Sequence, residues 1–166
     1  MKKFFNILLI AGFLFIGLSE NQAQTTQPKL NQVELMKQFI GNWEGSQGKD
    51  TIIYWNVKAF GKGLDIYDKF VVNGKIIIEQ RQIWGYDSNL DKFIGAILQK
   101  GQNIWIMAWW FTSNNEYVCT TYNDVSNFDN VSWKEVGDCK LLPDSLSQTT
   151  FLNGKAVIKF GFKRVK

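Results

Sequence analysis

Three polar side chains stand among apolar residues on two stretches of alternating sequence. The even-numbered positions of residues 75–86 include Gln80 and Gln82, and those of residues 63–72 include Asp68. A carboxyl or amide group on a buried apolar face needs a hydrogen-bond partner, which a bound molecule or a trapped water can supply. We therefore expect these three residues to be polar anchors inside a pocket. The alternative is an internal network closed by other side chains, for which the candidates are Tyr86, Tyr122 and Arg81.

Aromatic residues give the second indication of a pocket. The chain has seven tryptophans, and residues 103–112 are apolar on both alternating faces. Such a strand is buried on both sides, or it faces a cavity on one side. The binding hypothesis is a cup lined by Trp84, Trp105, Met107, Trp109, Phe111 and Tyr122. The alternative is an ordinary core with a helix packed on its outer wall. Which face of residues 103–112 points inward stays open.

Several kinds of catalytic site are excluded by what the sequence lacks. Without histidine there is no Ser-His-Asp or Cys-His catalysis, no His-ligated zinc and no His-ligated haem. Residues 45–50 contain glycines and a lysine, but their spacing does not fit a phosphate-binding loop. The Gly-x-Ser-x-Gly element of hydrolases is absent. We assign no catalytic residue, no metal ligand and no cofactor from these patterns.

The charge balance argues against nucleic acid as a partner. There are 19 Lys plus Arg against 15 Asp plus Glu, which gives a net charge of +4. Nucleic-acid-binding domains usually carry a dense basic face. Only two of the basic residues are arginines, Arg81 and Arg164, so bidentate contacts to phosphates or bases are few.

The first 23 residues have the pattern of an export signal. Met1, Lys2 and Lys3 form a positive start, an apolar run of about 15 residues follows, and Ala23 is a small residue at a cleavage position. The run is shorter than the roughly 20 residues of a membrane span, so an uncleaved anchor is the less favoured alternative. We expect a periplasmic or secreted protein without stable membrane insertion after cleavage. Residues 24–29 are then a polar lead-in, and residues 30–166 form one domain.

Two cysteines, Cys119 and Cys139, are present in the chain. In an oxidising compartment they could form a disulfide that closes a loop of about 20 residues. The alternative is that both remain buried free thiols. The sequence does not decide between these alternatives, because it gives no distance between them.

One helix and about ten strands account for the expected domain. Apolar residues recur at helical spacing from Leu30 to Ile40, and Gly41 ends that pattern. Strand-like runs then alternate with short turns, among them Asn73-Gly74 and Asn153-Gly154, which suit type I′ hairpins. Short turns join antiparallel neighbours. We predict an all-β fold, a single antiparallel up-and-down barrel of about 8–10 strands with one short N-terminal helix closing one end. A two-sheet sandwich is the alternative.

A short element after the helix carries a family resemblance. Gly41-Asn42-Trp43 opens the first strand and resembles the Gly-x-Trp element of the lipocalin-like (calycin) barrels. In those barrels the helix closes one end above the tryptophan, and a basic side chain of the last strand packs across the indole; Arg164 has the matching place and parity. The chain is also similar to secreted bacterial DUF1579-like domains through residues 84–87 and 92–93.

The resemblance implies structural roles for Gly41, Trp43 and Arg164, and it implies a function. It favours an exported, non-enzymatic barrel that holds a small, largely apolar molecule. The first alternative is a filled barrel that binds another protein at its rim. The second is an isomerase-like or cyclase-like enzyme on a related barrel, for which Asp68 is the candidate ionisable group. Ligand identity, protein partner and oligomeric state are not predicted.

Overall fold

The computed structural model describes residues 29–138 and 144–166. The expected export signal, residues 1–23, and residues 24–28 of the lead-in lie outside this part of the chain. Cys119 is a free, buried thiol, and Cys139 lies outside the described residues. Among the residues described, no helix is long and apolar enough to cross a membrane.

The predicted helix is present and is shorter than the sequence pattern indicates. Helix α1 spans Gln32–Met36 and continues as a 3₁₀ helix over Lys37–Phe39. The Asn31 side chain accepts a hydrogen bond from the Glu34 backbone N–H at 3.2 Å, as an N-cap residue does. The Gln32 amide both donates to the Phe111 carbonyl and accepts from the Phe111 backbone N–H, at 3.0 and 2.8 Å. This pair of bonds fastens the helix to the barrel wall.

In the described part of the chain, ten antiparallel strands form one closed barrel, which confirms the predicted architecture. Each strand pairs with its neighbours in sequence, and the first strand also pairs with the last. Closure leaves no open sheet edge. The strands are β1 Gly41–Gln47, β2 Thr51–Phe60, β3 Gly63–Val72, β4 Lys75–Asp87, β5 Lys92–Gln99, β6 Trp105–Phe111, β7 Glu116–Thr121, β8 Trp133–Asp138, β9 Ser145–Leu152 and β10 Lys155–Val165.

The two hairpin turns expected from Asn-Gly pairs are present. Asn73 and Gly74 have φ angles of 50° and 75°, and Asn153 and Gly154 have 49° and 74°. Positive φ at both central residues is what a type I′ turn requires, and its twist matches that of the flanking strands. These turns set the register of β3 with β4 and of β9 with β10.

The strand-like run of sequence at residues 130–136 forms a strand only from Trp133 onward. Tyr122–Asn130 forms 3₁₀ turns, and β8 begins only at Trp133. Phe128 of this segment contacts Trp110 on the outer face of β6, with ring centroids 4.8 Å apart. The segment therefore covers apolar surface outside the barrel instead of adding to a strand.

The inward face of β6 is now defined. Met107, Trp109 and Phe111 are buried, whereas Ile104 and Ile106 are 61% and 46% exposed on the other side. Trp105 shares the inward parity and is 53% exposed because it lies where β6 begins. The odd-numbered residues of β6 therefore point into the barrel.

Three glycines lie directly opposite large aromatic residues on paired strands. Gly45 pairs with Phe162, Gly95 with Trp84, and Gly137 with Tyr117. A Cβ atom built on Gly95 would lie 2.4 Å from the Trp84 ring. The missing side chains let the rings lie flat across the neighbouring strand, so the glycines make room for the aromatic interior.

Candidate functional site

An aromatic cavity of about 160 Å³ lies inside the barrel. The 3₁₀ helix contributes Phe39 to its wall, and every strand except β1 contributes at least one residue. Because Trp105 both lines the cavity and is half exposed, the cavity reaches the surface at the end away from the helix. The alternative of a barrel filled solidly by side chains disagrees with this space.

Most of the predicted aromatic lining is found in the cavity wall. Trp84, Trp105, Met107 and Trp109 line it. Phe111 does not, because it is the last residue of β6 and lies in contact with Phe39 of the helix, ring centroids 6.1 Å apart.

Tyr122 also lies away from the cavity. It is 41% exposed and begins the 3₁₀ segment that follows β7. Once the chain leaves the strand at Thr121, alternation no longer sets the direction of a side chain. The alternating pattern could not show this, because β7 ends without a glycine or proline in the sequence.

The predicted polar anchors form one connected network around Asp68. The Asp68 side chain is buried, and its Oδ2 accepts hydrogen bonds from Gln80 Nε2 at 2.7 Å and Gln82 Nε2 at 2.9 Å. Trp84 Nε1 donates to Gln82 Oε1 at 3.0 Å. Asp68 and Gln82 line the cavity, while Gln80 supports Asp68 from outside its lining. The candidate partners Tyr86 and Arg81 bond elsewhere, to Asp91 and Asp65.

Burial sets the ionisation of Asp68. It raises the pKa of Asp68 to about 6, although the hydrogen bonds from Gln80 and Gln82 favour the ionised form and oppose this shift. No Lys or Arg lies within ion-pair distance of Asp68 among the residues the structure describes. The cavity thus holds a carboxyl group that is neutralised more easily than a surface aspartate.

A second carboxyl, that of Glu135, lines the same cavity and was not found by sequence reasoning. Its Oε1 accepts from Thr150 Oγ1 at 3.2 Å, and its Oε2 accepts from Gln148 Nε2. Gln148 Oε1 in turn accepts from the Tyr117 hydroxyl at 3.0 Å. Burial raises the pKa of Glu135 to about 7, against the opposing effect of the bonds from Thr150 and Gln148. The sequence did contain one indication of this position: Glu135 is two residues after Trp133 and therefore points to the same side of β8.

The two carboxyl groups stand on opposite walls. Asp68 is on β3 and Glu135 is on β8, which are five strands apart in either direction around the ring of ten. Aromatic and aliphatic side chains occupy the walls between them. The cavity is therefore apolar around its middle, with one hydrogen-bonding cluster on each side.

Trp55 adds an unpaired donor beside Asp68. It is the residue paired with Asp68 across β2 and β3, it lines the cavity, and its ring stacks on Phe162 with centroids 4.2 Å apart. Its Nε1 atom is buried and has no hydrogen-bond partner among the described residues; the same holds for Asp68 Oδ1. Nothing in the sequence indicated this role for Trp55.

The closed end of the barrel has the contacts that the family resemblance implies. Arg164 pairs with Trp43 across β10 and β1, and its guanidinium carbon lies 4.2 Å from the centroid of the indole. Arg164 also donates to the carbonyls of Gln38 and Ile40, while Trp43 Nε1 donates to the Phe39 carbonyl at 2.7 Å. A side chain on Gly41 would collide with Arg164, since its Cβ would lie 2.5 Å from Nη1. Helix and barrel are joined by these bonds.

The fold is consistent with the calycin or lipocalin-like architecture, and the aromatic interior of the barrel is compatible with ligand binding. No protein-family model matches the chain, and no curated protein matches it. In the part of the chain that is described, no group of three or more Cys, Asp and Glu side chains is placed to hold a metal ion.

Proposed function

We propose that this chain is an exported protein that binds a small, largely apolar molecule inside its barrel. The observation that carries the proposal is the aromatic cavity of about 160 Å³. A cavity of roughly 150 Å³ lined by apolar side chains takes up one benzene molecule in another protein. The space therefore suits a ligand with one ring. The Gly41-Asn42-Trp43 element and Arg164 support kinship with the lipocalin-like barrels, and residues 84–87 and 92–93 support kinship with the secreted DUF1579-like domains.

Apolar burial alone gives only weak binding of so small a ligand. A ring the size of a phenylalanine side chain buries about 200 Å². At about 25 cal/mol per Å² this contributes about 5 kcal/mol before the entropic cost of association. Tighter binding depends on the polar groups in the wall, and it is these groups that would select one ligand over another.

Filling the cavity tests the proposal directly. Ile66 lines the cavity, and Ile83 lies on the outer face of the neighbouring strand. We expect calorimetric titration to show saturable binding of p-xylene to the natural chain and to Ile83→Phe, and at least tenfold weaker binding to Ile66→Phe. Absence of p-xylene binding to the natural chain contradicts the proposal, and so does unchanged binding to Ile66→Phe, provided that circular dichroism shows both variants folded.

One experiment tests both the retention of a natural ligand and the export of the protein. Native mass spectrometry of protein isolated from the periplasm or medium of its own source is expected to show a retained small molecule. The same spectrum is expected to give the mass of a chain that begins at Gln24. Recovery of the full-length chain from the cell interior contradicts the export proposal and leaves the cavity proposal standing.

A second candidate function is proton transfer on a bound molecule. The observation that favours it is the pair of cavity carboxyls, Asp68 and Glu135, whose pKa values of about 6 and about 7 lie close to neutral pH. Incubation of the protein with its retained ligand in D₂O distinguishes the two functions. Deuterium incorporation at a ligand carbon, abolished in Asp68→Asn, indicates an enzyme, whereas an unlabelled ligand indicates a binding protein.

A further inference from the structure

Two buried polar atoms in the cavity wall need opposite kinds of partner. Trp55 Nε1 is a donor and needs an acceptor, while Asp68 Oδ1 is an acceptor when ionised and needs a donor. Leaving a buried polar group unpaired costs about 1–3 kcal/mol. The two residues are direct partners across β2 and β3, so their Cα atoms lie about 4.5–5.5 Å apart. The two side chains are thus neighbours in the cavity wall.

The neighbouring contacts hold both groups in position. Gln80 and Gln82 both donate to Oδ2 of Asp68, which leaves Oδ1 as the free oxygen of the carboxyl. The Trp55 ring is stacked on Phe162, with 29° between the ring planes. Neither side chain is placed to satisfy the other, since no hydrogen bond joins them within the described part of the chain.

We propose that the cavity selects a one-ring alcohol or phenol, whose hydroxyl oxygen accepts from Trp55 Nε1 and whose hydroxyl hydrogen is donated to Asp68 Oδ1. This inference rests on the proposed function and names its ligand class. A carbonyl oxygen only accepts, and an ammonium group only donates, so each leaves one atom unpaired. A hydroxyl group does both from a single oxygen atom. The aromatic part of the wall, which includes Trp84, Trp109 and Phe162, suits the ring.

A matched set of probes tests the choice of head group. The four probes p-cresol, p-xylene, benzaldehyde and benzylamine each have eight non-hydrogen atoms and one aromatic ring. They differ in carrying a hydroxyl, a methyl, a carbonyl or an ammonium group. Calorimetric titration at pH 8 is expected to show p-cresol binding at least tenfold more tightly than each of the other three, because a net hydrogen bond to a charged group reaches this size.

Two substitutions test the residues. Trp55→Phe keeps a ring and removes the donor, so the advantage of p-cresol over p-xylene is expected to fall about tenfold. Trp110→Phe, on the outer face of β6 and outside the cavity wall, is the matched control and is expected to keep that advantage. In Asp68→Asn the two glutamines direct the amide oxygen to the Oδ2 position, which places NH₂ at the Oδ1 position. Two donors then face the ligand, and benzaldehyde is expected to bind more tightly than p-cresol.

The outcomes separate this inference from the proposed function. Equal binding of p-cresol and p-xylene overturns the hydroxyl inference and leaves the apolar cavity standing; an ordered water then serves the two atoms. Tightest binding of benzylamine also overturns it and identifies Asp68 as a site for a cation. If none of the four probes binds to a folded protein, both the inference and the proposed function are wrong. In the supporting case, the indole N–H resonance of Trp55 shifts on addition of p-cresol.

Discussion

Asp68 and Glu135 give the barrel an unusual dependence of stability on pH. Each has a pKa raised by burial, to about 6 and about 7, from ordinary values of 3.8 and 4.5. Between the ordinary and the raised value, the folded protein retains a proton that the unfolded chain has released. The contribution of these two groups to the free energy of unfolding is therefore greatest below about pH 4 and falls as the pH rises towards 7. The buried carboxyls act against the usual loss of stability in acid.

We expect the natural chain to be less stable at pH 8 than at pH 5. The two groups together contribute a decrease of up to about 4 kcal/mol over this interval. Asp65 and Asp91 do not oppose it, because their pKa values are lowered and they titrate at more acidic pH. Urea unfolding followed by tryptophan fluorescence measures the difference. The Asp68→Asn, Glu135→Gln double variant is expected to lose most of it, and an unchanged pH dependence in that variant would show that other groups cause it.

At the scale of the element, pairs of glycine and aromatic residues shape the interior. Trp84 on β4 lies across Gly95 on β5, and Tyr117 on β7 lies across Gly137 on β8. An aromatic side chain over a cross-strand glycine covers backbone that would otherwise lack packing. Each pair therefore stabilises the sheet and orients a ring at the cavity wall.

The Gly95→Ala substitution is expected to destabilise the barrel by about 1–3 kcal/mol. The new methyl group would meet the rigid Trp84 ring at 2.4 Å, and overpacking of a buried site has costs of this size. Gly85→Ala, in the strand that carries Trp84, is the matched control, since its methyl group meets nothing within 4 Å. We expect its free energy of unfolding in urea to be equal to or slightly above that of the natural chain. Equal destabilisation by both substitutions would contradict the packing argument.

Sequence patterns predicted the elements better than the site. The Asn73-Gly74 and Asn153-Gly154 turns were predictable because the positive φ angles of a type I′ turn strongly favour these residue types. The inward placement of Asp68 followed from strict alternation. The position of Tyr122 outside the cavity could not be predicted from alternation, because β7 ends at Thr121 without a glycine or proline.

The unpredicted parts of the site depend on residues far apart in the chain. Glu135 is joined to Gln148 and Thr150 on β9. Trp55 is important only because its partner across the sheet is Asp68. Such contacts are fixed by strand register and by closure of the barrel. Local periodicity contains neither, so the sequence showed candidate residues on single strands and could not show which of them share a cavity.

For the whole molecule, the pairing of β1 with β10 is the contact that makes a barrel of the sheet. It aligns Trp43 with Arg164 on the inner side and Glu44 with Lys163 on the outer side. The same pairing brings Phe162 against Trp55 and so completes the cavity wall. If this seam opened, the cavity would lose a wall and the helix would lose its bonds to Arg164.

A disulfide across the seam tests closure in solution. Glu44 and Lys163 are paired and exposed, so Glu44→Cys with Lys163→Cys is expected to form a disulfide in mild oxidant, detected by peptide mass spectrometry. Lys159 is also exposed on β10 but lies four residues away, about 13 Å along the strand, which exceeds the Cα separation that a disulfide allows. Glu44→Cys with Lys159→Cys is therefore expected to remain reduced.

The disulfide between positions 44 and 163 closes a loop of about 120 residues. We therefore expect it to raise the free energy of unfolding by about 4 kcal/mol, and we expect reductant to reverse this increase. Equal cross-linking of both pairs would mean that the seam opens freely or has another register.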